Sequence, residues 1–140
     1  DNILIAGSYH GFNIYELDND GIPKLISSVV CPGGQGDVSI VGDLLIMSVE
    51  ENRSRLDCGL EGVNSDSSPE RFRGIRIFDV SNLSKPKQVG AVQTCRGSHT
   101  HSVVSTTKDN KIIVYNSGTG RVRDNEEKAE CFGLDCGGSS

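Results

Sequence analysis

The sequence predicts an all-β protein built from repeated four-stranded antiparallel units, and three observations lead to this fold class. Short runs rich in Val, Ile and Phe recur along the chain, separated by Gly, Pro, Asn and Asp, as is typical of strands joined by turns. No segment keeps a 3.6-residue apolar period long enough for a packed helix. The chain also matches itself at an offset of about 63 residues.

Composition and charge exclude several other classes. The 140 residues are 35% hydrophobic, which is too much for a disordered polyelectrolyte. The net charge of −5 makes nucleic acid an unfavourable partner. The longest apolar runs hold about five residues, far short of the roughly 20 that a membrane helix needs, so we expect no membrane span in this segment.

The internal repeat gives the clearest landmarks along the chain. Gly11–Leu17 matches Gly74–Val80, and the turn after each run ends at Pro-Lys, first at Pro23 and again 63 residues later at Pro86. Each unit continues into further strand-like runs, a cysteine and a long polar stretch that opens with Arg-x-Arg. Without that stretch a unit has about 40–45 residues, the size of a four-stranded propeller blade.

The strands of each unit are labelled A to D, outward from a central axis. We predict strand A at Asp37–Val41 and Ser102–Ser105, strand B at Leu44–Val49 and Ile112–Asn116, strand C at Phe12–Leu17 and Ile75–Val80, and strand D at Leu25–Val30 and Gln88–Gln93. The chain opens on a further strand at Asp1–Gly7. Only Asp124–Cys131 has weak helical character, and it follows the last predicted strand.

The best-formed repeat resembles a known family. Ile75–Asn82, followed by Pro86, is similar to the repeat of the LVIVD-type β-propeller proteins of bacteria, and its sister run Phe12–Leu17 resembles a degenerate copy in which Glu16 replaces the usual Asp. Cys95–His101 resembles a segment of uncharacterised secreted proteins in the same group. The resemblance implies a β-propeller and carries no activity with it.

The sequence therefore predicts a fragment of a β-propeller, with about two to three four-stranded antiparallel blades. Residues 1–140 form one partial domain that we expect to be incomplete at both ends. It contains the end of one blade (1–30), a full blade with a long B–C insertion (37–95, insertion 51–73) and the start of the next blade (101–140, insertion 118–140). Alternating strand direction places the D–A and B–C connections on one face, here called the loop face.

All five cysteines fall in loop-face connections. Repeat symmetry proposes the disulfides Cys31–Cys58 and Cys95–Cys131, each of which would pin a long insertion that has no core of its own. A rival pairing joins Cys131 to Cys136 and leaves Cys95 free or joined to Cys58. The number of cysteines and the lack of a C-x-x-C pair favour an oxidising compartment, extracellular or periplasmic.

Two histidines lie two residues apart on an extended segment, so His99 and His101 point to the same side. They could share a Zn²⁺ or Cu²⁺ ion, with His10 and Glu50 as further ligands. The alternative is structural, because a histidine near a D–A connection can hydrogen-bond within its own blade.

Arginines also gather on the loop face of this acidic chain. We take Arg53, Arg55, Arg96, Arg121 and Arg123, together with His99 and His101, as candidate ligand-binding residues. The alternative is that the arginines brace the loops by pairing with acidic residues nearby in the sequence, namely Glu50, Glu51, Asp57, Asp124, Glu126 and Glu127.

The sequence favours a non-catalytic binding module of a secreted or periplasmic β-propeller. Its loop face would meet a protein, a glycan or a small anionic ligand, without a cofactor, while the remaining blades of the same chain complete the disc. No G-x-S-x-G elbow, H-E-x-x-H motif or phosphate-binding glycine loop is present. The alternative is a Cu- or Zn-dependent propeller enzyme that uses His99 and His101.

Overall fold

The computed structural model describes residues 2–106 and 111–131, which form nine strands and one turn of 3₁₀ helix. In chain order these elements are β1 (Ile3–Ser8), β2 (Gly11–Leu17), β3 (Pro23–Val30), β4 (Val38–Val41), β5 (Leu44–Val49), β6 (Gly74–Asp79), β7 (Lys87–Gln93), β8 (Thr100–Thr106), β9 (Ile112–Ser117) and the 3₁₀ turn Ala129–Cys131. The prediction of an all-β fold is confirmed.

The strands form three sheets in sequence order. Sheet 1 has the order β1-β2-β3, sheet 2 the order β4-β5-β6-β7, and sheet 3 consists of β8 and β9. All neighbouring strands are antiparallel. We expected weak helical character over Asp124–Cys131, but the segment contains only one 3₁₀ turn. Helix nucleation is unfavourable, and so short a segment gains too few helical hydrogen bonds to offset it.

The internal repeat is visible in the backbone of sheets 1 and 2. A β-bulge lies between Ile14 and Tyr15 in the first sheet and between Ile77 and Phe78 in the second, which are equivalent positions of the repeat. Gly11 and Gly74 open the corresponding strands at φ 136° and 149°. The two sheets therefore share an irregularity as well as a strand pattern, and this favours a true structural repeat.

The main hydrophobic core lies between sheet 1 and sheet 2. Phe12 and Ile14 of β2 pack with Leu45 and Met47 of β5 and with Phe78 of β6, and all five are buried. The rings of Phe12 and Phe78 meet edge to face with centroids 5.0 Å apart. Each such side chain contributes roughly 1.5–3 kcal/mol by leaving water, so this cluster holds the two sheets together.

The sheets also meet along their first strands. A Cβ on Gly7 of β1 would overlap the carbonyl oxygen of Gly36, so only glycine permits this backbone approach. Elsewhere, Ser27 Oγ of β3 donates to Leu83 O, in the connection between β6 and β7, at 2.6 Å. Between sheets 2 and 3, Ser98 N donates to Val49 O at 2.9 Å. These contacts bring the loop connections of successive sheets side by side.

Across residues 2–106 and 111–131, no helix is long and apolar enough to cross a membrane.

Candidate functional site

Two disulfides pin the loops that follow sheets 1 and 2. Cys31 is bonded to Cys58 with Cα atoms 4.5 Å apart, and Cys95 is bonded to Cys131 with Cα atoms 5.3 Å apart. These are the two pairs that repeat symmetry proposes, and they exclude the rival Cys131–Cys136 bond. Cys136 lies outside the described residues. Two bonds of this kind are compatible with an extracellular or other oxidising environment.

The insertion between β5 and β6 folds back on itself as a narrow ladder. Val63 N donates to Arg53 O at 3.0 Å, and Phe72 N donates to Ser54 O at 2.9 Å. Val63 and Phe72 are buried, at 6% and 0% exposure, and give the insertion a small core. Both sides of this ladder contain arginines, and these arginines lie next to the segment that follows β9.

The arginines of this ladder line a cavity of about 530 Å³ between the insertion and residues 121–127. We call it the arginine cavity. Its charged lining residues are Arg53, Arg71, Arg73, Arg121 and Arg123, with Asp66, Asp124 and Glu127. Five arginines therefore line this cavity together with three acidic residues, in a chain whose net charge is −5. The local charge favours an anion.

One carboxylate neutralises part of this cluster. Glu127 Oε2 accepts from Arg123 Nε at 2.8 Å, and Glu127 Oε1 accepts from Arg71 Nη1 and from Ser68 N. The side chains of Arg123 and Glu127 are each 1% exposed. Arg123 Nη2 also donates to Arg71 O at 3.0 Å. Glu127 thus fastens the segment after β9 to the insertion of sheet 2.

Arg73 lacks such a partner. It is 3% exposed and donates to Asn52 Oδ1 at 2.9 Å and to Arg121 O at 3.0 Å, but within the described ranges no carboxylate pairs with it. Its Nε is buried without any hydrogen-bond partner there. Burial lowers the pKa of Arg73, the positive charges of Arg123 and Arg71 lower it further, and the negative charge of Glu127 opposes the shift in part. The cavity wall therefore contains a buried cation whose charge and hydrogen-bonding capacity are incompletely satisfied.

The five arginines predicted as ligand-binding residues divide into two groups. Arg53, Arg121 and Arg123 line the arginine cavity. Arg55 lies outside it and pairs with Asp57 at 2.8 Å and Glu70 at 2.6 Å.

The partners of Arg55 brace the insertion, as the alternative reading expects. The hydrogen bonds that Arg55 donates to Asp57 and to Glu70 raise the pKa of Arg55, and the bond donated by Arg55 lowers the pKa of Asp57. Arg96 lies outside the lining of the arginine cavity, and its Nη1 donates to Gly120 O at 3.3 Å. The two arginines therefore hold loop segments in place beside the cavity.

Arg76 is a further buried arginine, and its role is structural. It is 0% exposed, its guanidinium lies 4.6 Å from the Phe72 ring centroid, and it donates to the carbonyl oxygens of Arg55 and Leu56 and to Gln88 Oε1. Burial lowers its pKa to about 10, so it remains charged at neutral pH. Arg76 satisfies backbone acceptors of the insertion and does not line the cavity.

The two neighbouring histidines have different environments. His99 Nδ1 lies 2.7 Å from Glu50 Oε2, at a partly exposed position. His101 Nδ1 lies 2.8 Å from Ser48 Oγ and 3.3 Å from Asp37 Oδ2, and its side chain is fully buried. His10 is exposed near a different cavity. Among the residues that the structure describes, no three His, Cys, Asp or Glu side chains stand close enough to hold a metal ion.

His101 therefore makes hydrogen bonds, although not within its own sheet. It belongs to β8, and its Ser48 partner belongs to β5 of sheet 2, so its side chain bonds across two sheets. The set of Ser48, His101 and Asp37 is also not a catalytic triad. Both partners approach Nδ1, Nε2 is buried without a partner among the described residues, and Ser48 is 2% exposed.

Sequence reasoning missed Arg71 and Arg73, the two arginines at the centre of the cavity. The signal was available, because Arg71-Phe72-Arg73 is a second Arg-x-Arg motif in the insertion that already contains Arg53-Ser54-Arg55. Comparison with protein-family models, with curated proteins and with solved structures finds no match for this chain.

Proposed function

We propose that this chain is part of a secreted or periplasmic β-propeller and that its loop face binds an anionic group, without catalysis, in the arginine cavity. The resemblance of Ile75–Asn82 to the LVIVD repeat supports the propeller. So do the three successive antiparallel sheets and the bulge repeated at Ile14 and Ile77. In this proposal the sheets are successive blades with the predicted boundaries, and further blades of the same chain complete the disc.

The main support for the binding proposal is that the Arg73 guanidinium is buried without a carboxylate partner among the described residues. A buried guanidinium without a carboxylate is costly, because the charge has left water and receives only partial compensation from neutral acceptors. Glu127 is already shared by Arg71 and Arg123. An anion in the cavity would supply the missing negative charge and accept hydrogen bonds from guanidinium groups.

The chemistry of the cavity selects planar or tetrahedral oxyanions. Guanidinium groups donate paired N–H bonds that match carboxylate, phosphate and sulfate oxygens. Arg121 and Arg53 are exposed at the cavity mouth, where they can contact an entering ligand. Arginine keeps its proton at neutral pH and is a poor general acid or base, which supports a site that holds its ligand.

Calorimetric titration with sodium sulfate and sodium phosphate tests this proposal. We expect saturable binding that weakens at least about tenfold in Arg121→Gln, because one charge-assisted hydrogen bond is lost at an exposed position. Asp124→Asn should strengthen binding severalfold, since it removes a negative charge from the lining.

Lys24→Gln is the matched control, because it removes one positive charge from exposed β3, away from the cavity. The affinity of this variant for sulfate and phosphate should equal that of the unchanged protein. No saturable binding, or equal losses in Arg121→Gln and Lys24→Gln, would contradict the proposal.

A further inference from the structure

A second cavity of about 680 Å³ adjoins the arginine cavity on the loop face. Tyr9, Pro32 and Leu60 give it an apolar wall, and we call it the Tyr9–Leu60 trough. Arg53 lines both cavities, so the two spaces are neighbours and share a cationic side chain. A ligand larger than a simple anion can therefore occupy both.

The apolar side chains of the trough are unusually open to solvent. Tyr9 is 61% exposed and Leu60 is 71% exposed. Their backbone is nevertheless held in place, since Gly33 N donates to Tyr9 O at 3.3 Å and the loop carrying Leu60 follows the Cys31–Cys58 disulfide. The trough is a fixed surface that offers an aromatic ring, which lowers the entropy cost of binding.

The polar groups around the trough indicate which kind of molecule suits it. His10, Glu51 and Arg53 line the trough beside Tyr9 and supply hydrogen-bond donors and acceptors. A sugar ring has an apolar C–H face that stacks on an aromatic ring and hydroxyl groups at its rim that bond to such polar side chains. The trough therefore matches a saccharide ring.

We infer that the ligand of the loop face is an acidic saccharide. Its sulfate ester or uronate carboxylate occupies the arginine cavity, and a neighbouring ring lies on Tyr9 and Leu60. The inference rests on the proposed function, because it takes the anion site as given. Arg53 lies between the two halves, because its side chain lines both cavities and its Nη2 donates to Glu61 O at 3.1 Å.

Calorimetry with matched probes tests this inference. The probes are inorganic sulfate, a sulfated disaccharide, the same disaccharide without sulfate, a uronate disaccharide and a sulfated peptide. The sulfated disaccharide should bind about tenfold more tightly than inorganic sulfate, because stacking on Tyr9 adds to the ionic contacts. The unsulfated disaccharide should bind much more weakly, and the uronate probe shows whether a carboxylate replaces the sulfate.

The double variant Tyr9→Ala, Leu60→Ala should bind the sulfated disaccharide no better than sulfate and bind sulfate itself as before. Both side chains are exposed, so the variant keeps its fold, and Leu25→Ala, 60% exposed on β3, is the control. Sulfate binding without any gain from the disaccharide, or equal binding of the sulfated peptide, overturns the saccharide inference alone. Failure of sulfate to bind overturns the proposed function as well.

Discussion

At the level of single residues, His101 shows how a neutral group is held between two sheets. Its imidazole is fully buried beside Ser48, and Asp37 Oδ2 lies 3.3 Å from Nδ1. Burial lowers the pKa of His101, and the negative charge of Asp37 opposes the shift in part. The folded protein therefore takes up a proton at this site less readily than the unfolded chain does.

We predict that His101 makes the folded state less stable as the pH falls. The unfolded histidine binds a proton near its ordinary pKa of about 6.5, whereas the folded one binds it only at lower pH. The stability is fully present above the ordinary pKa and is lost as the pH drops toward the folded value. The free energy of unfolding, measured with urea, should differ less between pH 8 and pH 5 in His101→Asn than in the unchanged protein.

His10→Asn is the control for this experiment, because His10 is exposed and makes no such contact between the sheets. Its pH dependence should match that of the unchanged protein. If the stability of His101→Asn depended on pH as strongly as that of the unchanged protein, protonation of the buried imidazole would not be coupled to folding.

At the level of elements, each of the two complete C–D strand pairs begins at a glycine that no other residue can replace. Gly74 has φ 149°, and a Cβ there would overlap the carbonyl oxygen of Val92. Gly11 stands at the equivalent repeat position with φ 136° and would overlap Val29 O in the same way. The glycine allows the chain to enter the strand directly against its neighbour.

We predict that Gly74→Ala destabilises the protein by more than about 2 kcal/mol, through backbone strain and overlap with Val92 O. Gly90→Ala is the matched control on neighbouring β7. An added Cβ there lies 3.4 Å from Ile77 Cδ1, which is an ordinary contact. The free energy of unfolding should therefore change by less than about 1 kcal/mol. Urea unfolding of both variants measures the difference. Equal effects would show that the backbone at Gly74 can relax.

The strands could be predicted from the sequence because their signal is local. Runs such as Ile75–Val80 combine β-branched residues with turn residues at both ends, and the observed β6 differs from that prediction by one residue at each end. The burial of Arg71 and Arg73 has no local signal of this kind. Their burial depends on a distant part of the chain, because Glu127, more than 50 positions away, packs against the insertion of sheet 2 and binds Arg71.

At the level of the whole molecule, the disulfides connect successive sheets through the loop face. Cys31 follows sheet 1 and is bonded into the insertion of sheet 2, while Cys95 follows sheet 2 and is bonded to the segment after β9. The Cys31–Cys58 bond packs against the main core between sheets 1 and 2, whereas the Cys95–Cys131 bond lies outside that core. The sheets are held mainly by their apolar core and strand hydrogen bonds, whereas the insertion depends on the disulfide to stay against them.

We predict that reduction releases the insertion before it opens the sheets. Closing a loop of 27 residues, as Cys31–Cys58 does, contributes roughly 3.5 kcal/mol by restricting the unfolded chain. Trypsin should then cut faster at Arg53 and Arg55 after reduction, while cleavage at Lys24 and Lys87 in the strands stays slow. Timed digestion with mass mapping follows both groups of sites, and the double variant Cys31→Ser, Cys58→Ser should behave like the reduced protein. Equal acceleration at all four sites, or free Cys31 and Cys58 thiols before reduction, would show that the bond does not hold the insertion.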